Sequence, residues 1–244
     1  MQISEFVAYS FPQAALIWFH IVLFVLWLGA DMGVYVAHFY ILKKDLSVEG
    51  RLTAASILRQ VDFFPRISMA LFLVSGVALI AINPLGERFL GWPMLLTLAF
   101  TVLWVSSTVY LFRRSGRPPL ISDPVGHIVE RLDQVAKIAV ASCLIGVAVY
   151  TIAADEPFGV SSNPKWLGVK VLLYGTAVAS AVGMELVLVP FGQAFGELVV
   201  SGSTKEVEAQ IRRNLLRCRP FVYAIWISVA CAALLGVWKP GTTL

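Results

Sequence analysis

The chain is poor in charge. Only 14% of its 244 residues are charged, whereas 58% are hydrophobic; a soluble domain carries about 25% charged residues. That deficit excludes an ordinary soluble enzyme and indicates an integral membrane protein. Cysteine and histidine are scarce too, at three residues each. Cys143, Cys218 and Cys231 form no CxxC pair and no ligand cluster; two of them lie in apolar segments and read as small core residues. No nucleotide loop, no HExxH and no Ser-His-Asp set falls on one face, and "GADMG" (29–33) reads as helix. The opening "MQISEFVAYSF" has no basic start and carries Glu5, so no cleaved signal peptide is expected.

What is present is long apolar runs. A hydrocarbon layer about 30 Å thick takes about 20 helical residues to cross, and such stretches lie near 13–41, 64–83, 91–112, 135–153, 166–196 and 220–238. The expected fold is a single all-α domain, a bundle of six transmembrane helices in contact with the lipid bilayer. "NPLGERFLGWP", "GRPPLISDPVGH" and "DEPFGVSSNPK" supply the breakers between spans. Asp123 before Pro124 predicts a helix N-cap, and Ser203 with Glu206 has capping-box spacing.

Basic residues are segregated. Lys43, Lys44, Arg51, Arg59 and Arg66 flank or follow span one; Arg113, Arg114, Arg117, Arg131 and Lys137 follow span three; Lys205, Arg212, Arg213, Arg217 and Arg219 follow span five. The opposite side has Arg88, Lys165 and Lys239, with Lys170 inside a span. The positive-inside rule places the three basic loops in the cytoplasm and both termini outside. Such alternation is a topology signal, so no nucleic-acid partner is expected; a bacterial inner membrane is the expected location. Each basic loop ends in an amphipathic segment: "ILRQVDFFPRI", "VERLDQVAKI" and "IRRNLLRCRPFV". Gly76, Gly146 and Gly236 lie along the helices that follow. "GWPMLLTL" parallels "KWLGVKVLL", matching Trp92 with Trp166 and Leu96 with Lys170. This reads as an internal repeat of helix pairs.

Span one carries a polar stripe. At 100° per residue, with His20 at zero, Trp27 falls at about −20°, Asp31 at about +20° and His38 at about 0°. Ionisable groups inside a membrane face the bundle interior. The stripe either fixes helix packing through hydrogen bonds or lines a site. An imidazole in the apolar layer suits a metal or haem ligand, which makes His20 the candidate ligand. Lys170 on span five reaches a similar level, as snorkelling lysine or as partner. Glu185 is deeper on that helix, level with Asp31, and Met32 and Met184 adjoin the two acids. Thr97, Thr101, Trp104 and Thr108 form a second stripe on span three. His20 and His38 stand about 27 Å apart along one helix, so one haem cannot take both. Its sixth ligand would be Lys170, a methionine, water or nothing. Arg66, Arg88 and Arg219 are candidates for haem propionates, and His127 reads as a solvated loop residue.

The run "HIVLFVLWLGA", with His20, Trp27 seven residues on and then Gly29, resembles the first helix of the HemJ-type protoporphyrinogen IX oxidases and the related CopD-like copper-resistance membrane proteins. "WLGVK", Trp166 to Lys170, is similar to the later HemJ-type helix in which a tryptophan precedes a lysine. The resemblance implies a b-type haem held with help from His20 and a role for Lys170. It is silent on Asp31 and Glu185.

The function expected is therefore that of a membrane haem-b redox protein, either an oxidase of a small hydrophobic substrate or an electron-transfer subunit with a redox partner or other membrane subunits. His20 would ligate iron beside Lys170 and Trp27, while Asp31 and Glu185 would relay protons toward His38 and the cytoplasm. The alternatives are copper handling of the CopD kind, a proton-coupled carrier, and a cofactor-free scaffold. Soft Cu(I) wants Met, Cys and His, and no MxxM or His/Met-rich segment serves it.

Overall fold

In hydrocarbon a backbone must satisfy its own polar groups, which leaves long apolar segments the helix as their open-ended solution. The computed structural model describes residues 10–82, 86, 89–115, 123–159 and 165–240. Within them the chain forms α1 (Phe11–Ile41), α2 (Val48–Ala81), α3 (Trp92–Ser115), α4 (Pro124–Ala153), α5 (Lys165–Ser201) and α6 (Lys205–Trp238). All six are long and apolar enough to span a membrane, and no strand occurs among the described residues. Arg88 and Arg117 lie outside those residues.

The helices outrun the spans expected from apolarity. At 37 residues, α5 is about 55 Å long. The amphipathic basic segments lie inside α2, α4 and α6, beyond their first turns, so each of these helices starts well before its apolar run. Their starts are capped: Ser47 Oγ accepts from Gly50 N–H at 3.1 Å. Asp123 Oδ1 accepts from Gly126 N–H at 2.8 Å, and this bond, followed by the Arg114 pairing, holds the Asp123 carboxyl below its ordinary range. The cap of α6 is Thr204, whose hydroxyl accepts from Val207 N–H at 3.3 Å. Ser203, expected in that role, stands one residue too early and donates to Glu208 Oε1 at 2.7 Å. His127 belongs to the first turn of α4 and is exposed beside Glu130.

Each helix packs on its sequence neighbours, α6 closes on α1, and α2 meets α5 across the middle. The result is two layers, α1-α2-α3 over α6-α5-α4. One buried cluster draws on every helix, through Trp27, Met69, Trp104, Ala141, Val178 and Ile225 among others. A second joins α1, α2, α5 and α6 around Ile41, Ala54, Leu198 and Ile211, at the end where α1 turns into α2 and α5 into α6. The outward faces carry Trp18, Leu26, Leu103, Ile138 and Ile227. Cys143 and Cys231, expected in the core, are on that face, and only Cys218 is buried. Lipid tails are as apolar as a helix interior, so an apolar residue gains little by facing inward.

Two of the cations counted as loop flanks are not at the surface. Arg51 is 1% exposed; its Nη1 meets Glu208 Oε1 at 2.6 Å, Nη2 meets Oε2 at 3.2 Å, and Nε donates to Ile41 O at 2.7 Å. Lys137 is 3% exposed and belongs to the site described next.

Candidate functional site

The stripe on α1 faces inward: Trp27, Asp31 and His38 are buried and His20 is half-buried. It meets different partners at two levels of the bundle.

At the outer level His20 Nδ1 stands 2.9 Å from Ser75 Oγ, and Ser75 Oγ–H donates to Phe72 O at 3.4 Å. With the serine proton on the Phe72 carbonyl, His20 Nδ1–H is the donor to Oγ; with the hydroxyl turned to the imidazole, the roles reverse. The first order leaves Nε2 unprotonated, the form in which imidazole ligates a metal. The Phe72 ring meets the imidazole edge-on, with centroids 4.4 Å apart. Lys170, from α5, is within electrostatic reach of His20. Its ammonium lies against the α6 backbone at Gly236, where an added Cβ would stand 2.7 Å from Nζ. The structure thus brings His20 and Lys170, 150 positions apart by their numbers, to one level.

At the inner level three helices share one ion-pair network, to which a fourth adds a hydrogen bond. Arg66 Nε meets Asp62 Oδ2 at 2.6 Å and its Nη1 meets Glu185 Oε1 at 2.6 Å. The same Glu185 oxygen takes Lys137 Nζ at 2.8 Å, Lys137 meets Asp133 Oδ2 at 2.6 Å, and Ser107 donates to Asp133 Oδ1 at 2.9 Å. Asp31 stands apart from these pairs; Trp226 Nε1–H donates to its Oδ2 at 2.7 Å. A cavity of about 30 Å³ separates Asp31 from Asp62, Arg66 and Glu185, with Trp27, Met69 and Met184 also in its wall. That is room for about one water molecule. Four carboxylates (Asp31, Asp62, Asp133, Glu185) thus gather around two cations (Arg66, Lys137).

Between the levels lies an aromatic layer. Trp27 packs edge-on against Phe72 and Tyr174, at centroid distances of 5.6 and 6.3 Å, and the Tyr174 hydroxyl is committed to Met69 O at 2.7 Å. Along α1, His20 and Asp31 are about 16 Å apart, and no hydrogen-bonded side chains link them among the described residues. Trp27 therefore sits below the His20 level rather than beside it.

Several expected residues are placed elsewhere. Arg66 is committed to carboxylates on the half of the bundle that holds Asp31, away from His20. Arg219 is also on that half; its guanidinium lies over Phe39 at 5.6 Å and its Nε is buried without a partner. His38 Nδ1–H donates to Tyr35 O at 2.8 Å, leaving Nε2 buried without a partner. Met32 faces outward while Met184 lines the cavity. On α3, Thr101, Trp104 and Thr108 are buried, and the Thr97 hydroxyl donates to Pro93 O at 2.8 Å.

Asp62, Lys137 and Asp133 were missed as site residues because they looked like parts of basic loop flanks. A signal was there: Asp62-x3-Arg66 and Asp133-x3-Lys137 are the same acid-base spacing within alternate helices, and i,i+4 partners share a helix face. Comparison with protein-family models, curated proteins and solved structures finds no match to this chain.

Proposed function

We propose that the protein is a membrane redox protein that holds a haem b in the outer half of its bundle, with His20 as axial ligand. The observation that carries this reading is the His20–Ser75 bond: it holds the imidazole by Nδ1, so that Nε2 is the ring nitrogen left for a metal. Phe72 sets the ring plane, and Gly236 makes room for Lys170 to act as second ligand or charge partner. When bound, haem b would supply one-electron chemistry, tuned by its ligand and the polarity around it. A small hydrophobic substrate or a redox partner in a bacterial inner membrane fits an outer-level site within lipid reach. Copper handling has less support, since the cavity-wall methionines, Met69 and Met184, share their space with the Arg66 cation.

The test is an absorption spectrum of detergent-purified protein, oxidised and then reduced, with iron and copper measured on the same sample. A Soret band that shifts on reduction, with stoichiometric iron, is expected. His20→Ala should lose it while the bundle still folds. Ser75→Ala should weaken haem retention about 10–100-fold, the usual cost of losing such a supporting bond. Leu96→Ala, on a 68% exposed residue, should leave it unchanged. Full haem occupancy in the His20 variant rejects the assignment.

A second reading, a proton-coupled carrier, is favoured by the inner level, where acids outnumber bases around a water-sized cavity. Intramembrane carboxylates of this kind mark proton pathways. In liposomes enclosing a pH-sensitive dye, wild-type protein should then move protons down a gradient. Asp31→Asn, which keeps an acceptor for Trp226, should abolish that flux. Equal flux in both proteins would remove Asp31 from any pathway.

A further inference from the structure

Most buried or half-buried cations of this protein are paired: Arg51, Arg66, Arg114 and Lys137 each meet a carboxylate. Lys205, Arg213 and Arg217, on the cytoplasmic turns of α6, form no ion pair among the described residues. They gather around a groove of about 540 Å³ between α6 and Pro190 of α5, with Glu206 as its single lining carboxylate. Arg213 and Arg217 are four residues apart and so share a helix face. Asn214 lines the same groove, is 5% exposed, and has its amide nitrogen buried without an acceptor. The adjacent amino-terminal end of α6 adds positive potential of its own.

The depth narrows the ligand. Pro190 lies five residues beyond Glu185 toward the cytoplasm, and Arg213 and Arg217 precede the apolar run of α6, which begins near 220. The groove is therefore level with the headgroups of the inner leaflet. Three exposed cations against one carboxylate favour an acceptor-only anion with several oxygens. We propose that this groove binds a phosphate-bearing anion at the inner membrane face, either the headgroup of an anionic phospholipid or a soluble phosphate presenting the same oxygens. The proposal is independent of any haem at His20.

Delipidated full-length protein in detergent would be titrated with short-chain phosphatidylglycerol, phosphatidylcholine of the same chain length and inorganic phosphate, with bound ligand counted by native mass spectrometry. Phosphatidylglycerol is expected to bind more tightly than phosphatidylcholine. Lys205→Gln/Arg213→Gln/Arg217→Gln should weaken it about a hundredfold, given the usual contribution of basic residues near an anionic surface. Arg212→Gln, an exposed charge outside the groove, should have no effect. Competition by inorganic phosphate would identify the soluble source, and its absence the lipid. Equal phosphatidylglycerol binding by wild type and the triple variant, or an equal loss in the Arg212 variant, would overturn the site.

Discussion

Replacing Lys137 by Met is expected to destabilise the bundle by about 3–5 kcal/mol, the usual consequence of removing one partner from a buried ion pair. Lys137 bridges two acids, but its loss does not affect them equally. Glu185 keeps Arg66, whereas Asp133, itself only 6% exposed, keeps nothing but the Ser107 hydroxyl. Glu185→Gln should cost much less, about 1–2 kcal/mol. It leaves Arg66 with Asp62 and Lys137 with Asp133, each a neutral pair within one helix. Unfolding of the two variants in mixed micelles, followed by tryptophan fluorescence, measures the contrast. Equal losses would show that the network acts as a unit in which Glu185 is indispensable, contrary to the pairing described above.

The second large effect is expected at the end of the bundle where α5 turns into α6. Glu208→Gln should cost about 3–5 kcal/mol, because it leaves the Arg51 guanidinium buried with no opposing charge. Arg51 ties α2 to the carbonyl end of α1 through Ile41 O and to α6 through Glu208. The loss should therefore loosen the α5–α6 turn as well, where Gly202 takes a positive φ of 79°, and limited proteolysis there should accelerate. Replacing both partners by Met should recover much of the stability, since an apolar pair of similar volume often matches a buried salt bridge. If the double variant is as unstable as Glu208→Gln, geometry rather than unpaired charge sets the cost.

The bundle and its inward stripe could be read from the sequence because both rest on periodicity. Apolar length identified the helices, and the 100° advance put Trp27, Asp31 and His38 on the face that the structure buries. The ends of the helices were less legible. Length in excess of the bilayer carries no hydropathy signal, so α2, α4 and α6 begin in segments that look like charged loops. The same blindness concealed Arg51, Asp62, Asp133 and Lys137. A charge near a span end reads as interfacial by itself, and its burial becomes evident only when the partner from another helix is known. The level shared by His20 and Lys170 could be matched by counting inward from the outer face, but the Ser75 bond could not, because serine is common in such helices and nothing in the local pattern singles it out.

The aromatic layer of Trp27, Phe72 and Tyr174 has an electrical consequence. Polarizable but uncharged, it divides the bundle into an outer compartment at His20 and an inner one at Asp31, like the dielectric between two capacitor plates. An imposed voltage falls most steeply across the least polar material, so a charge passing between those compartments would traverse much of the transmembrane field. Full transit corresponds to about 2.3 kcal/mol per elementary charge at 100 mV. Electron and proton movements confined to one compartment would be nearly insensitive to voltage, whereas any cycle joining the two would be electrogenic.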